Sequence, residues 1–422
     1  MAIAQSPAPV RNWWSSERPA DLETVPDPPP REIFTPIISV DDHLLEPPGV
    51  FRPRVPARMR ERAPEIVLDD DALPHWQFEG ARIPVELSTG MASFPRRFWR
   101  HAMATIRYEE FRRGTWDVHA RLADMDGDGV WASLPFPSTI WGFAGRTFAQ
   151  MTDPELGRAC VRAYNDWLLE EWVGACPERF IACQVPWMLD AETTASMVRE
   201  NADRGFRAIS FSENPQRLGL PSLYSGYWDP VFAACEETDT VINLHVGSSS
   251  HVTRPSEESP SEVIVALFPL NGMMAATDWI FARIPLRFPA LKIVLSEAGV
   301  SWVPMLLERL RRVERQAESS SVWTLADPTP AEVLLRNFWF TSLEDPSAFR
   351  QLDTIGVDKI MVETDYPHSD ATWPDTQRGL RTQLADLPGD TVRALAYGTA
   401  AQLYRHPAPP PDFGTRTISE RS

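Results

Sequence analysis

Asp41 and His43 stand two residues apart in the string VDDHLLEP, a spacing that puts both side chains on one face of an extended strand. Such a pair at a strand end can hold a divalent cation or form a buried hydrogen-bonded couple. Other strings end in groups of the same kind. SFSENP offers Glu213, NLHVGSSSH offers His245 and His251, VLSEAG offers Glu297, and VETDYPHSD offers Glu363, Asp365 and His368. Imidazole and carboxylate donors without thiolates suit Zn²⁺, Mn²⁺ or Fe²⁺. Taken singly, each has a plain structural reading, as a satisfied core group or a helix-cap partner. Their recurrence at separate strand ends is what points to one shared centre.

The elements that must position these groups alternate in type. Strand-like runs are expected at Ile37–Val40, Gly129–Leu134, Phe180–Val185, Ala208–Phe211, Val241–Leu244, Ile293–Leu295, Phe338–Thr341 and Lys359–Val362. Helical stretches are expected at Glu155–Val173, Ala191–Asp203, Pro230–Glu237, Ser261–Arg283, Trp302–Ala317 and Pro346–Ile355, with Thr391–Leu403 closing the ring. Alternation of this kind predicts a (β/α)₈ TIM barrel, in which chemistry sits just past the strand ends. The barrel body spans residues 37–406. A Pro-rich arm, residues 1–36, is expected to be disordered or draped on the body through Trp13 and Trp14, and residues 407–422 read as a flexible tail.

A long insertion follows the first strand, at about 47–120 within Leu44–Asp128, and holds Phe94, Arg96, Arg97, Phe98, Trp99 and Arg100. It leaves the barrel at the face where active sites form, so it reads as a lid or substrate wall, with an oligomerisation flap as the alternative. Asp124, Asp126 and Asp128 resemble a fragment of a calcium loop, but its downstream Glu is missing; a turn entering the second strand is the better reading.

Composition excludes several classes. Of 422 residues, 41 are basic and 58 acidic, a net charge of −17, and no basic stripe suits a nucleic acid. No apolar run reaches the ~20 residues that a bilayer requires, and the start of the chain lacks the pattern of a signal peptide. Cys160, Cys176, Cys183 and Cys235 form no C-x-x-C pair and read as buried thiols of a cytoplasmic protein. Lys292 and Lys359 are the only lysines, so no lysine of the first 291 residues can bridge two metals or form a Schiff base. The expected partner is a small-molecule substrate, with no nucleic acid and no membrane; a homodimer is an ordinary expectation.

The strings DDHLLEPP, SFSENP, FPALKIVLSEAGVSWVPMLLERL and ETDYPHSDATWP resemble the amidohydrolase-related family, whose members include aminocarboxymuconate semialdehyde decarboxylase and resorcylate-type decarboxylases. The resemblance runs from Ile37 to Arg405. It implies a metal held by Asp41, His43, His245 and Asp365. The sequence departs from the decarboxylases at the sixth strand, where Glu297 stands in place of an acid/base histidine. Thr399-Ala400 replaces an Asn-Ala pair in the last helix.

Glu297 therefore has two readings, a proton carrier or a ligand of a second ion. Glu213 bears on the choice, because two-metal relatives place a bridging group on the fourth strand. Asp41, His43, Glu213, His245, Glu297, Asp365 and His368 make seven potential ligands, so one or two ions per chain are open. Their carboxylate content leans toward iron or manganese over zinc. Alternatively Glu213 and His368 orient a single-ion site. Glu46 reads as a loop anchor, and His251 as a pocket group on a Ser-rich loop. His75, His101, His119 and His406 are not expected to bind metal.

The function this implies is metal-dependent hydrolysis or non-oxidative decarboxylation of a small organic acid, ester or amide. Asp365, Glu297 and His368 are the catalytic candidates. A non-heme di-iron monooxygenase acting on an apolar carboxylate, such as a terpenoid, is the alternative, since a related hydroxylase of diterpenoid biosynthesis is similar to this branch.

Overall fold

The apolar runs predicted as strands form a parallel array in the computed structural model, which describes residues 14–315, 323–324 and 326–414. β1 (Ile37–His43) pairs in parallel with β5 (Val130–Phe136). β6 (Cys183–Gln184), β7 (Ala208–Ser210), β8 (Val241–His245), β9 (Ile293–Ser296), β10 (Phe338–Ser342) and β11 (Ile360–Val362) form a six-stranded sheet in chain order. Two and six make the eight parallel strands expected, and those of the larger sheet are paired with their sequence neighbours throughout. Backbone hydrogen bonds also link the two sheets. Asp365 N donates to Asp41 O (2.9 Å) and His43 N to Tyr366 O (2.7 Å), while Ser133 and Phe180 form a parallel bridge beside β5 and β6.

Every residue of these eight strands except Trp339 is buried, including the polar ones. Strands covered on both faces need continuous apolar runs, which is why they read so clearly. Helices separate them, among them Pro154–Trp167, Ala191–Arg204, Asp229–Thr238 and Val303–Glu314. Pro269 divides the expected helix Ser261–Arg283 into Ser261–Leu267 and Pro269–Phe281, because a proline cannot donate into the preceding turn. Pro346–Ile355 holds only the short turns Ala348–Arg350 and Leu352–Ile355. The remainder of the expected helix Trp302–Ala317 beyond residue 315 lies outside the described residues.

Between β1 and β5 the chain forms the antiparallel sheet β2 (Glu65–Leu68), β3 (Pro74–Phe78) and β4 (Ala81–Pro84), several short 3₁₀ turns and the helix Val118–Asp128. The acidic triplet thus lies in the last turns of a helix ended by left-handed Gly129, which corrects the reading of a turn. Asp124 binds Arg112, Asp126 binds Arg179, and Asp128 accepts from Thr376, so no loop gathers them around calcium.

Trp13 lies outside the described residues, and Trp14 is 47 % exposed, so the arm is not held through Trp14. Leu22 and Phe34 pack against the core, and polar contacts add to this. Val25 N donates to Ser93 O (2.8 Å), and Phe34 N and Thr35 N donate to Gln377 Oε1. At the other end Phe413 packs edge-on against Trp131 at 5.2 Å.

Candidate metal centre

β1 carries the first two candidate ligands at the C-terminal end of its buried run. Asp41 and His43 share a face, and Asp42, pointing the other way, ties the strand to its neighbours. The Asp42 carboxylate accepts hydrogen bonds from Ser39, from Ser133 of β5 and from Thr364 after β11. Burial pushes its pKa up to about 6 against those bonds and the Arg121 charge. The buried Arg121 guanidinium fixes the strand end further, donating to His43 O (2.5 Å) and Gly114 O (2.7 Å). Sequence reasoning passed over Asp42 and Arg121. The doubled aspartate was the available signal, since alternation must send one of the two away from the centre.

His245 ends β8. Its Nδ1 donates to Val246 O (2.6 Å), and His43 Nδ1 faces Pro137 O at 3.4 Å. Both rings are thereby set with Nε2 as the free atom, and the two Nε2 atoms face each other at 3.1 Å. Two imidazole lone pairs at that separation repel unless a proton or a cation lies between them. Carboxylates surround the same spot. Asp41 Oδ1 is 3.4 Å from His43 Nε2 and Asp41 Oδ2 is 3.4 Å from His245 Nε2. Asp365 Oδ1 is 3.3 Å from His43 Nε2, and Glu297 Oε2 is 3.6 Å from His245 Nε2.

Asp41 and Asp365 are fully buried, and none of their four carboxylate oxygens has a hydrogen-bond partner. Orphaned buried carboxylates are expensive, and a cation is the usual remedy. One ligand atom from each of Asp41, His43 and His245 lies within 4.8 Å of the others, and His43, Asp365 and His368 meet the same condition. The residues present fit a divalent ion.

The electrostatics agree. For His43, burial opposes protonation, but the carboxylates of Asp365 and Asp41 beside it prevail and lift the pKa to about 9. Burial likewise opposes ionisation of Asp41 and Asp365, yet the histidines beside them hold both below the usual carboxylate range. Glu297 moves the other way: burial, then the charges of Asp365 and Asp41, push its pKa well up. Glu363 behaves alike for the same reasons, and one of its oxygens accepts from Glu297 N at 3.2 Å. Glu297 and Asp365 both hold left-handed backbone, with φ of 57° and 52°. Strain of this kind in non-glycine residues costs about 1–3 kcal/mol each and collects at functional sites.

His368 stacks on His43 with ring centres 3.7 Å apart, and its Nδ1 is 3.1 Å from Asp365 Oδ1. Burial and the His43 charge lower its pKa. Glu213 stands apart from these atoms. Its oxygens accept hydrogen bonds from Ser248 (3.1 Å) and Ser249 (2.8 Å) of the loop after β8, and like Glu297 it joins neither ligand group. Glu46 is a buried anchor for Ser138, whose N and Oγ donate to it at 3.0 and 2.6 Å. His251 is exposed on the loop after β8, and His75, His101, His119 and His406 lie outside both ligand groups.

Phe143 was also missed. Its ring lies 4.0 Å from that of His245 and 4.8 Å from that of His43, covering the ligand imidazoles. Nothing in the local sequence WGFAGR gives this role; only the two flanking glycines hint at a special turn.

Residues 93–406 match the amidohydrolase family. Solved structures of similar shape include an amidohydrolase from Mycobacterium avium subsp. paratuberculosis K-10, 20 % identical with a TM-score of 0.65, covering 88 % of this chain and 100 % of that one. Another is 5-carboxyvanillate decarboxylase from Novosphingobium aromaticivorans DSM 12444, complexed with manganese and 4-hydroxy-3-methoxy-5-nitrobenzoic acid. It is 18 % identical with a TM-score of 0.61, covering 92 % and 100 % of the two chains. A third is dihydroxybenzoic acid decarboxylase from Polaromonas sp. JS666, with bound manganese and 2-nitroresorcinol, 16 % identical with a TM-score of 0.60 over 88 % and 97 %. At these identities the likeness is one of fold.

Proposed function

Because the chain belongs to the amidohydrolase family, we propose that it is a metal-dependent enzyme that acts on a small organic acid, by non-oxidative decarboxylation before hydrolysis. In this reading the eight parallel strands work as one closed (β/α)₈ barrel spanning 37–406, with the arm and the tail as attachments and the insertion as a wall over its mouth. The observation that carries the proposal is the pair of Nε2 atoms at 3.1 Å beside two buried carboxylates without partners. The manganese named for two of the similar structures supports the same choice of ion.

Asp41, His43, His245 and Asp365 would hold one ion. His43 has a single free lone pair, because its other nitrogen faces a backbone carbonyl, so its two ligand groups cannot both be filled through it. A divalent ion bound there supplies Lewis acidity toward a substrate carboxylate or carbonyl. The chain's own groups do the rest. Glu297, at the rim of the centre, carries the proton that replaces carbon dioxide, so that R–COO⁻ and H⁺ give R–H and CO₂. Glu363 holds the backbone nitrogen of Glu297, and His368 orders Asp365 through its Nδ1 contact. Phe143 limits water over the ligands. Nothing in the geometry or the comparisons favours the oxygenase alternative.

The test joins metal content per chain, by elemental analysis, with carbon dioxide release from a panel of hydroxylated aromatic carboxylates. One manganese or zinc per chain and release that disappears in Asp365→Asn are expected. Protein that takes up no divalent ion, or D365N with full activity, would overturn the reading.

A further inference from the structure

Next to the loops that follow β7 and β8 lies a cavity of about 520 Å³, within the range that small-molecule sites occupy. One wall is a single face of the helix Pro269–Phe281. Leu270, Met273, Met274, Thr277, Asp278 and Phe281 recur along it at helical spacing. Such a stripe is ordinarily covered by another element, yet here it borders open volume, and Met274 remains 45 % exposed.

The polar groups of the cavity, which include Asn214, His251 and Asn271, are unequally engaged. Glu213 and Ser249 form its floor and bind each other at 2.8 Å. Burial pushes the Glu213 pKa up to about 7, against its two serine donors. Asp278 receives the Tyr224 hydroxyl at 2.6 Å. Arg217, by contrast, has no ion-pair partner among the described residues, whereas nearby Arg254 and Arg283 pair with Glu257 and Asp327. An unpaired guanidinium at one end of an apolar trough is complementary to a molecule with an acid group on an apolar body.

We infer that this cavity binds an organic anion, its apolar body along the Leu270–Phe281 stripe and its acid group at Arg217. Ser249 of the floor lies on the loop that leaves His245, so the cavity seats the part of the substrate remote from the reacting carboxylate. That last step, and only that step, rests on the metal-centre reading. Neither Arg217 nor the stripe belongs to the metal centre.

The probe is 8-anilinonaphthalene-1-sulfonate, a sulfonate on a fused aromatic body, titrated by fluorescence into the manganese-treated full chain. Saturable binding of one dye per chain is expected. Thr277→Trp, which fills the middle of the stripe, should abolish it. Arg217→Gln should raise Kd about fivefold, the effect of losing one partly solvated ion pair, and should blunt the weakening that salt causes in the parent protein. Both variants should keep the thermal shift given by manganese, which separates this site from the metal centre. Should T277W not fold, R217Q and its salt dependence decide alone. No saturable binding by the parent protein, or binding unchanged in R217Q, would overturn the inference. Loss of the manganese shift in the parent protein would instead refute the metal centre while leaving the cavity standing.

Discussion

Adding manganese to metal-free protein should raise its melting temperature by an amount the structure lets one work out. The four carboxylate oxygens of Asp41 and Asp365 have no partner in the folded chain, and the unfolded chain does not gather these ligands. Binding therefore stabilises the native state alone. At a free concentration about a thousandfold above Kd, that stabilisation is about 4.1 kcal/mol. Unfolding entropy scales at about 2.1 cal/mol/K per residue, which for 422 residues gives about 0.9 kcal/mol/K. The shift should then be about 4–5 °C. Asp41→Asn or Asp365→Asn removes an anionic ligand and should weaken binding at least about a hundredfold. At the same manganese concentration this leaves about 1.4 kcal/mol, a shift below about 2 °C. Differential scanning fluorimetry on chelator-treated protein, with magnesium as the control for nonspecific ion effects, measures both. Equal shifts in the parent protein and both variants would refute the argument, because the gain would then arise elsewhere.

Glu297→Gln keeps the shape of the proposed proton carrier but not its function. Turnover should fall by about 10²–10⁴ while manganese per chain is unchanged, which rate assays and elemental analysis check together. Phe143→Ala uncovers His245 and His43, so water relaxation by bound manganese should increase; an unchanged relaxation rate would show that the ring does not restrict solvent. Asp128 belongs to neither ligand group, and burial raises its pKa from 3.8 to about 8 despite its bond from Thr376. Its folded form prefers the proton, so its contribution is intact below pH ~4 and is lost as pH rises toward about 8, at about 1.4 kcal/mol per pH unit. Asp128→Asn should thus gain on the parent protein by up to about 4 kcal/mol between about pH 5 and about pH 8, read from denaturant unfolding; a difference that does not change with pH would contradict this.

The sequence by itself determined the strands and most of the residues that meet in the candidate metal centre. Strands buried on both faces demand mostly apolar runs, so Ile37–Val40, Val241–Leu244 and Ile293–Leu295 are legible without coordinates, and the strands found there run on to His43, His245 and Ser296. Period-two alternation then places Asp41 beside His43, and the strand ends supply His245, Glu297 and Asp365. Local rules failed where a distant partner decides. Glu213 sits at a strand end like the others, and its partners, the serines of another loop 35 and 36 residues on, are visible only in the tertiary structure. Phe143 covers His245 from a loop about a hundred residues earlier, and Asp42 locks three strands through hydroxyls that the sequence scatters from Ser39 to Thr364. Residue type and spacing fix which atoms can bind a cation; which of them meet, and which remain unpaired, is set by long-range packing, because their partners come from strands and loops far apart in the chain.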